Sequence, residues 1–297
     1  MGLFTRRKHK KAKNIYKMLE IDVSELDNYP NGLDDIMARN IDGFLIRNAV
    51  TLDAVEKLMK HYDNLDASEK FEVNNGMIQH PAPFSLIEQK SGNSKDSLIN
   101  FHKEAEVRWE KFPQLSGVDF VGEMKSIIEK ISGKRPVAPP KGTENEGIYN
   151  PATYKYLVPG QGEFKAHCGN YFHNEFPFIY QHMKEISIIK DQMSYFVMLS
   201  PSSSGGELTL YDIEWSDAEI RKSGDTILVT HDGKEVDLLD EKKLARKKLT
   251  PRPGDMIVFA GGQIWHKVEV AQGEKPRRTI GGFLTYAKDD KSIYIWS

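Results

Sequence analysis

Residues 164–170 read Phe164-Lys165-Ala166-His167-Cys168-Gly169-Asn170, and 99 positions beyond His167 the chain presents His266, after Gly261-Gly262-Gln263-Ile264-Trp265. Arg277 follows 11 positions later, in Pro276-Arg277-Arg278-Thr279. A facial non-haem iron site reads His-x-Asp or His-x-Glu, then a distant His, with an Arg beyond it. The spacing fits here, but the carboxylate position is Gly169, which has no side chain. Two imidazoles and a vacancy leave room on a metal for a ligand that the protein does not supply. In a jelly roll, His167 would end one strand and His266 would begin another across the barrel mouth, so the sequence around this stretch bears on the fold.

The surrounding sequence supports that architecture. Residues 153–158 alternate, and Pro159-Gly160-Gln161-Gly162 turns the chain into 164–167. Further strands are expected at 193–199, 208–211, 256–259, 266–270 and 279–286. A loop is expected at 201–206, a hairpin around Asp232-Gly233, and a turn at Pro253-Gly254-Asp255. Many short strands with regular turns imply a sandwich or barrel. The first half is different. A β-rich run at 43–50 precedes Thr51, which caps a helix carrying Leu52, Val55, Leu58, Met59 and Tyr62 at helical spacing. Further helices are expected at 101–111 and at 119–132, the latter stopping at Gly133. Residues 70–100, broken by Asn74-Asn75-Gly76, Pro81-Ala82-Pro83 and Ser91-Gly92-Asn93, read as a long loop, either a lid or a plain connector. The fold expected is mainly β with a helical annex: a double-stranded β-helix (jelly roll, cupin-like) over about 148–297, packed by N-terminal helices over about 21–147, the whole forming one domain from 21 to 297.

Composition narrows the function classes. A net charge of −2 gives the whole chain no nucleic-acid signature. Residues 1–13 concentrate Arg6, Arg7, Lys8, Lys10, Lys11 and Lys13 with no acid, so 1–20 is expected to be a basic, disordered tail. No stretch is apolar and long enough to span a membrane, and the basic start lacks an apolar run. The single cysteine, Cys168, excludes an internal disulfide framework. A cytoplasmic setting is expected.

Of the nine histidines, most are ordinary surface or packed residues: His9, His61 and His102 fall in a tail or on helices, and His173, His182 and His231 near loops. His167 and His266 stand apart because each lies where a metal ligand must. A zinc site would need a third protein ligand. Arg277 suits the far carboxylate of 2-oxoglutarate, for which a guanidinium fork is the fitting partner. Arg277 and Thr279 share a strand face; a one-residue slip would turn Arg278 inward instead.

At this point several runs resemble one family, the free-standing, carrier-protein-independent iron/2-oxoglutarate halogenases of the hapalindole, welwitindolinone and ambiguine alkaloid pathways. They are Tyr149-Asn-Pro-Ala-Thr153, His167-Cys-Gly-Asn170, Asp191-Gln-Met-Ser-Tyr-Phe196, Gly205-Gly-Glu-Leu208 with Tyr211 and Glu214-Trp215, Pro253-Gly-Asp-Met256, Pro276-Arg-Arg-Thr-Ile-Gly-Gly-Phe283 and Ile293-Tyr-Ile-Trp-Ser297. The similarity is strong over about 148–297 and looser over 20–135. The resemblance implies His167 and His266 as iron(II) ligands, and chloride (or bromide) at the position Gly169 leaves open. It implies Arg277, with Thr279, as the 2-oxoglutarate clamp. Ser194 would hydrogen-bond near the oxo group, and Asn170 would support the anion pocket. The chemistry implied is chlorination of an unactivated sp3 carbon through a chloro-iron(IV)-oxo species, consuming O2 and releasing succinate and CO2, on a free small molecule such as a secondary metabolite, with no carrier protein.

The chain also departs from that family. Residues 70–100, where the family's lid lies, match little. Phe164 replaces a smaller aliphatic, Lys155 an Arg and Cys168 an aliphatic, and the insertion around 217–248 is rich in charge. These differences bear on the substrate. Two other readings share the same residues: a hydroxylase using the same iron and cosubstrate, and a jelly-roll binding protein without catalysis. For Ser194 the plain alternative is a strand hydroxyl satisfying the backbone, and for Gly169 a backbone bend.

Overall fold

The computed structural model describes residues 15–74, 76–83, 94–217, 226–231 and 234–297. The basic run of 1–13 and the middle of the expected loop, 84–93, lie outside the described residues.

Two sheets face each other as a double-stranded β-helix. In the larger, strands Thr153–Leu157, Arg277–Ala287, Ser187–Ser200 and Met256–Phe259 lie side by side and antiparallel. The smaller sheet runs Arg246–Leu249, Leu208–Glu214, Ile264–Val268, Phe164–His167. From Thr153 to Ala287 the strands cross from one sheet to the other, except that Leu208–Glu214 and Arg246–Leu249 pair within the smaller sheet; this is the jelly-roll path expected. Period-two side-chain alternation sorts each strand. Along Ser187–Ser200, Tyr195 and Val197 are buried in the main apolar core while Ser194 and Phe196 are only half-buried. Each fully buried aliphatic or aromatic side chain contributes about 1.5–3 kcal/mol by leaving water.

The helical annex covers the larger sheet. Thr51 Oγ1 accepts from the Ala54 amide and starts helix Leu52–Asp63. Its Tyr62 ring stacks on Tyr154 at 3.9 Å, fixing the helix to the sheet. Helix Phe120–Ile131 buries Met124, Ile127, Ile128 and Ile131, and Gly133 follows with φ +70°. The outer face of the smaller sheet is closed by hairpin Thr226–His231/Lys234–Asp240, with Ile227 meeting Cys168, Tyr211 and Trp265.

Four expectations need correction. The end of the expected tail is folded: Met18–Asp22 pairs in parallel with Gly43–Arg47, and the buried Tyr16 donates to the Tyr211 carbonyl at 2.6 Å. The expected loop begins instead as a hairpin, Phe71–Asn74 and Met77–His80, extending the larger sheet beyond Thr153–Leu157. The helix expected at 101–111 runs from Lys95 to Ser116, because its buried stripe (Leu98, Phe101, Ala105, Trp109, Phe112) continues past both bounds. Two helices, Gly169–Glu175 and Pro177–Ile186, stand where only strands and loops were expected. Pro177 at the first position and Ile179, Tyr180 and Met183 on one face carried that signal.

Candidate active site

His167 ends strand Phe164–His167 and lies opposite His266 in the middle of Ile264–Val268. In that pairing His266 meets His167 while Val268 meets Phe164, so three steps on one strand face two on the other. This is a β-bulge, and it corrects the expected simple alternation of 164–167. Phe164 and His167, three apart, turn to the same side, with ring centroids 3.9 Å apart. The two imidazole centroids lie 4.2 Å apart. Phe172 and Phe259 complete an apolar wall around them.

Each imidazole has one nitrogen spent. His167 Nδ1 is 2.7 Å from the Lys165 carbonyl, and His266 Nδ1 is 2.7 Å from the Ile264 carbonyl. A carbonyl only accepts, so each Nδ1 carries the proton and each Nε2 keeps a lone pair for a metal. Burial holds both rings neutral. It pushes His266 down to about 4 and His167 well below the usual imidazole range, the neighbouring ring adding to the latter. Cys168 is buried on the outer face of the strand, and burial raises its thiol to about 12. Among the described residues no group of three or more His, Cys, Asp or Glu side chains could hold a metal. The pair therefore fits a metal that takes its remaining ligands from solution.

Gly169 lies against the loop leading into the His266 strand. Its amide donates to the Gly261 carbonyl at 2.8 Å and the Asn170 amide to the Gly262 carbonyl at 3.0 Å. A Cβ built on Gly169 would meet Gln192 Nε2 at 2.9 Å and Gly262 Cα at 3.1 Å. The absence of a side chain here lets the Gln192 carboxamide and Gly262 approach closely. The Asn170 side chain is engaged by Asp191: its Nδ2 donates to Asp191 Oδ1 at 2.7 Å and its Oδ1 accepts the Asp191 amide at 3.0 Å. Ser194 lies opposite Phe259, and a Cβ on Gly261 would come within 2.1 Å of its Oγ.

Arg277 is 3% exposed, whereas Arg278 points outward and pairs with Asp63 at 2.8 Å. That settles which arginine faces the interior. Arg277 stacks over Phe196 and reaches Thr279 Oγ1 at 3.4 Å, but its buried Nε has no partner and no carboxylate pairs with it among the described residues. Burial pushes its pKa down to about 10. Lys155, directly across from Thr279, adds a second cation without a carboxylate partner among the described residues; its ammonium lies 5.5 Å from the Phe164 ring centre. Burial, then Arg277, lowers it to about 8. Unpaired charges inside a barrel are costly unless a ligand of opposite sign meets them, and a dicarboxylate fits both. From sequence, Lys155 stands out only as a departure from the family and Gln192 has no role; register places Lys155 across from Thr279, and the contact with Gly169 places Gln192.

The sequence matches the family described as carrier-protein-independent halogenase WelO5 over residues 15–297. No curated protein matches the chain by sequence. Among solved structures, a prolyl-4-hydroxylase from Pseudomonas putida is 12% identical with a TM-score of 0.44, covering 86% of this chain and 96% of its own. A 2OG-Fe(II) oxygenase-family oxidoreductase from Burkholderia pseudomallei is 9% identical with a TM-score of 0.46, covering 95% and 99%. The epimerase SnoN, solved with Fe3+ and alpha ketoglutarate, is 10% identical with a TM-score of 0.46, covering 88% and 83%.

Proposed function

The chain belongs to the WelO5 family of carrier-protein-independent halogenases and is an iron- and 2-oxoglutarate-dependent oxidoreductase, and on that premise we propose that it chlorinates an unactivated sp3 carbon of a free-standing small molecule. The balanced reaction takes R–H, chloride, a proton, 2-oxoglutarate and O2 to R–Cl, succinate, CO2 and water. Iron(II) with 2-oxoglutarate and O2 supplies the power to take a hydrogen atom from carbon. The protein's share is placement. His167 and His266 present their Nε2 lone pairs to the metal, and Gly169 leaves the third protein position to a halide. Arg277 with Thr279 receives the far carboxylate of the cosubstrate, Lys155 adding positive charge beside it. Ser194 offers a hydroxyl close to the metal, and Phe164, Phe172 and Phe259 keep water away.

One observation carries this reading: a glycine follows one of two paired, neutral imidazoles at the position where a carboxylate would complete a metal site, in a barrel that also buries an arginine with no carboxylate partner among the described residues. The test incubates anaerobically prepared iron protein with 2-oxoglutarate, O2 and candidate substrates, with and without chloride, and reads product masses. A chlorine isotope pattern that needs chloride supports the proposal. Added oxygen alone indicates a hydroxylase, and absence of succinate indicates a binding protein; either overturns it.

A further inference from the structure

We infer that Gln192 is a positioning residue of the halide site, forming its wall beside Gly169 and donating a hydrogen bond to the anion; the inference rests on the halogenase reading above. The pairing is regular at Ser194 opposite Phe259 and Phe196 opposite Ile257, and period-two alternation sends these two to the interior face. Gln192 lies just before that stretch, at the register shift that follows Asp191 with φ +63°, and its contact with Gly169 places it beside them. Their contacts agree: Phe196 lies under Arg277, the Ser194 hydroxyl is against Gly261, and the Gln192 carboxamide is against Gly169. One strand thus lines the cosubstrate end, the metal and the vacancy in turn.

The chemistry of the carboxamide points the same way. Gln192 is 1% exposed, and its Nε2 is the nearest atom to a Cβ built on Gly169, at 2.9 Å. A carboxamide nitrogen carries two hydrogens. One is directed at Tyr180 Oη, 3.1 Å away, and the other is free for an acceptor on the Gly169 side. Oε1 is buried without a partner. Filling space alone would be served better by leucine or methionine, which carry no polar group to desolvate. A neutral N–H donor holds a halide without pairing with it as a lysine would. The backbone makes the placement rigid: the Gln192 carbonyl accepts the Gly262 amide at 2.7 Å, and Gly262 in turn accepts the Asn170 amide. The Gln192 backbone is therefore tied to the loop that leads into the His266 strand, the same loop that accepts the Gly169 and Asn170 amides just after His167.

The test titrates sodium chloride and sodium bromide into the anaerobic protein loaded with iron(II) and 2-oxoglutarate, at ionic strength held by sodium sulfate. It follows the shift of the iron-to-2-oxoglutarate charge-transfer band in the parent, Gln192→Leu and Gln192→Met. Both variants are expected to bind iron and 2-oxoglutarate as the parent does but to need on the order of tenfold more halide, the loss of one hydrogen bond to a charged group. A parent whose band ignores halide sinks the halogenase reading and this inference with it. A parent that responds, with variants responding at the same concentrations, sinks only the role of Gln192. Should neither variant fold, anomalous scattering from bromide in crystals of the parent decides: bromide within hydrogen-bond reach of Gln192 Nε2 supports the inference, and bromide on the metal away from that nitrogen overturns it.

Discussion

His266 stands directly opposite His167 across an antiparallel strand pair, and each ring gives its Nδ1 proton to the carbonyl two residues before it. The two Nε2 lone pairs are fixed before any metal arrives. Replacing either ring removes one of two protein ligands. His167→Ala and His266→Ala are each expected to weaken iron(II) binding by more than about a hundredfold, beyond the loss usual for an outer-shell partner. Competition with a chromogenic chelator measures this; iron affinity within a few-fold of the parent would remove that histidine from the site.

Gly169→Asp is expected to abolish chlorination and to add hydroxylation. The new carboxylate takes the open ligand position, while Gln192 must shift from the 2.9 Å approach at the Cβ. The mass ratio of chlorinated to hydroxylated product is the measurement. Chlorination at the parent level in this variant would contradict the account of the vacancy.

Arg277→Leu is expected to raise the dissociation constant for 2-oxoglutarate by roughly tenfold to a hundredfold, the loss of a charge-assisted hydrogen bond in a buried site. Lys155→Met removes the second cation and should weaken the cosubstrate less, because its side chain is less completely buried than that of Arg277 and offers a single ammonium in place of a fork. Calorimetry on the iron-loaded protein under nitrogen reads both. Equal effects from Arg278→Leu would show that the pairing with Asp63 on the outer face misled the assignment.

Ser194→Ala should move products from chloride toward hydroxyl transfer. Gly261→Ala should act in the same direction, since its methyl would displace the Ser194 hydroxyl from 2.1 Å. Product ratios under saturating chloride test the pair together. A changed ratio in Gly261→Ala with none in Ser194→Ala would mean that the loop, not the hydroxyl, controls the outcome.

Stability should fall as the medium is acidified. Burial pushes His102 down to about 3 and His173 down to about 4, while an unfolded histidine titrates near ~6.5. Above that value both states are neutral and these residues add no pH dependence. Below it the unfolded chain takes up protons first, so stability is lost from about pH 6.5 down toward the folded values. Melting temperatures from pH 7.5 to 4.5 should show this slope, reduced in His102→Gln. An unchanged slope in that variant would assign the effect to other groups.

Much of this was legible in the chain. Gly254 and Gly160 mark turns, and the alternating run 153–157 and the apolar run 256–259 give strands beside them. The spacing of His167, His266 and Arg277 picks out three side chains that the fold buries, the two histidines opposite each other. What escaped depended on partners distant in sequence. The bulge at Phe164–His167 exists because Val268 pairs with Phe164, and no alternation within four residues reveals that. Lys155 and Gln192 enter the site through register and backbone contacts with Thr279 and Gly262. The hairpin Phe71–Asn74/Met77–His80 is short and turn-rich, and it is held by the neighbouring strand Thr153–Leu157, so its own sequence reads as loop.

The central claim is that a halide occupies the ligand position Gly169 leaves open. X-ray absorption at the iron edge, on the anaerobic protein with 2-oxoglutarate and either chloride or bromide, tests it without a substrate. The account predicts a halide scatterer bound to iron that changes from chlorine to bromine with the salt supplied. Only nitrogen and oxygen neighbours, unchanged between the two salts, would contradict it.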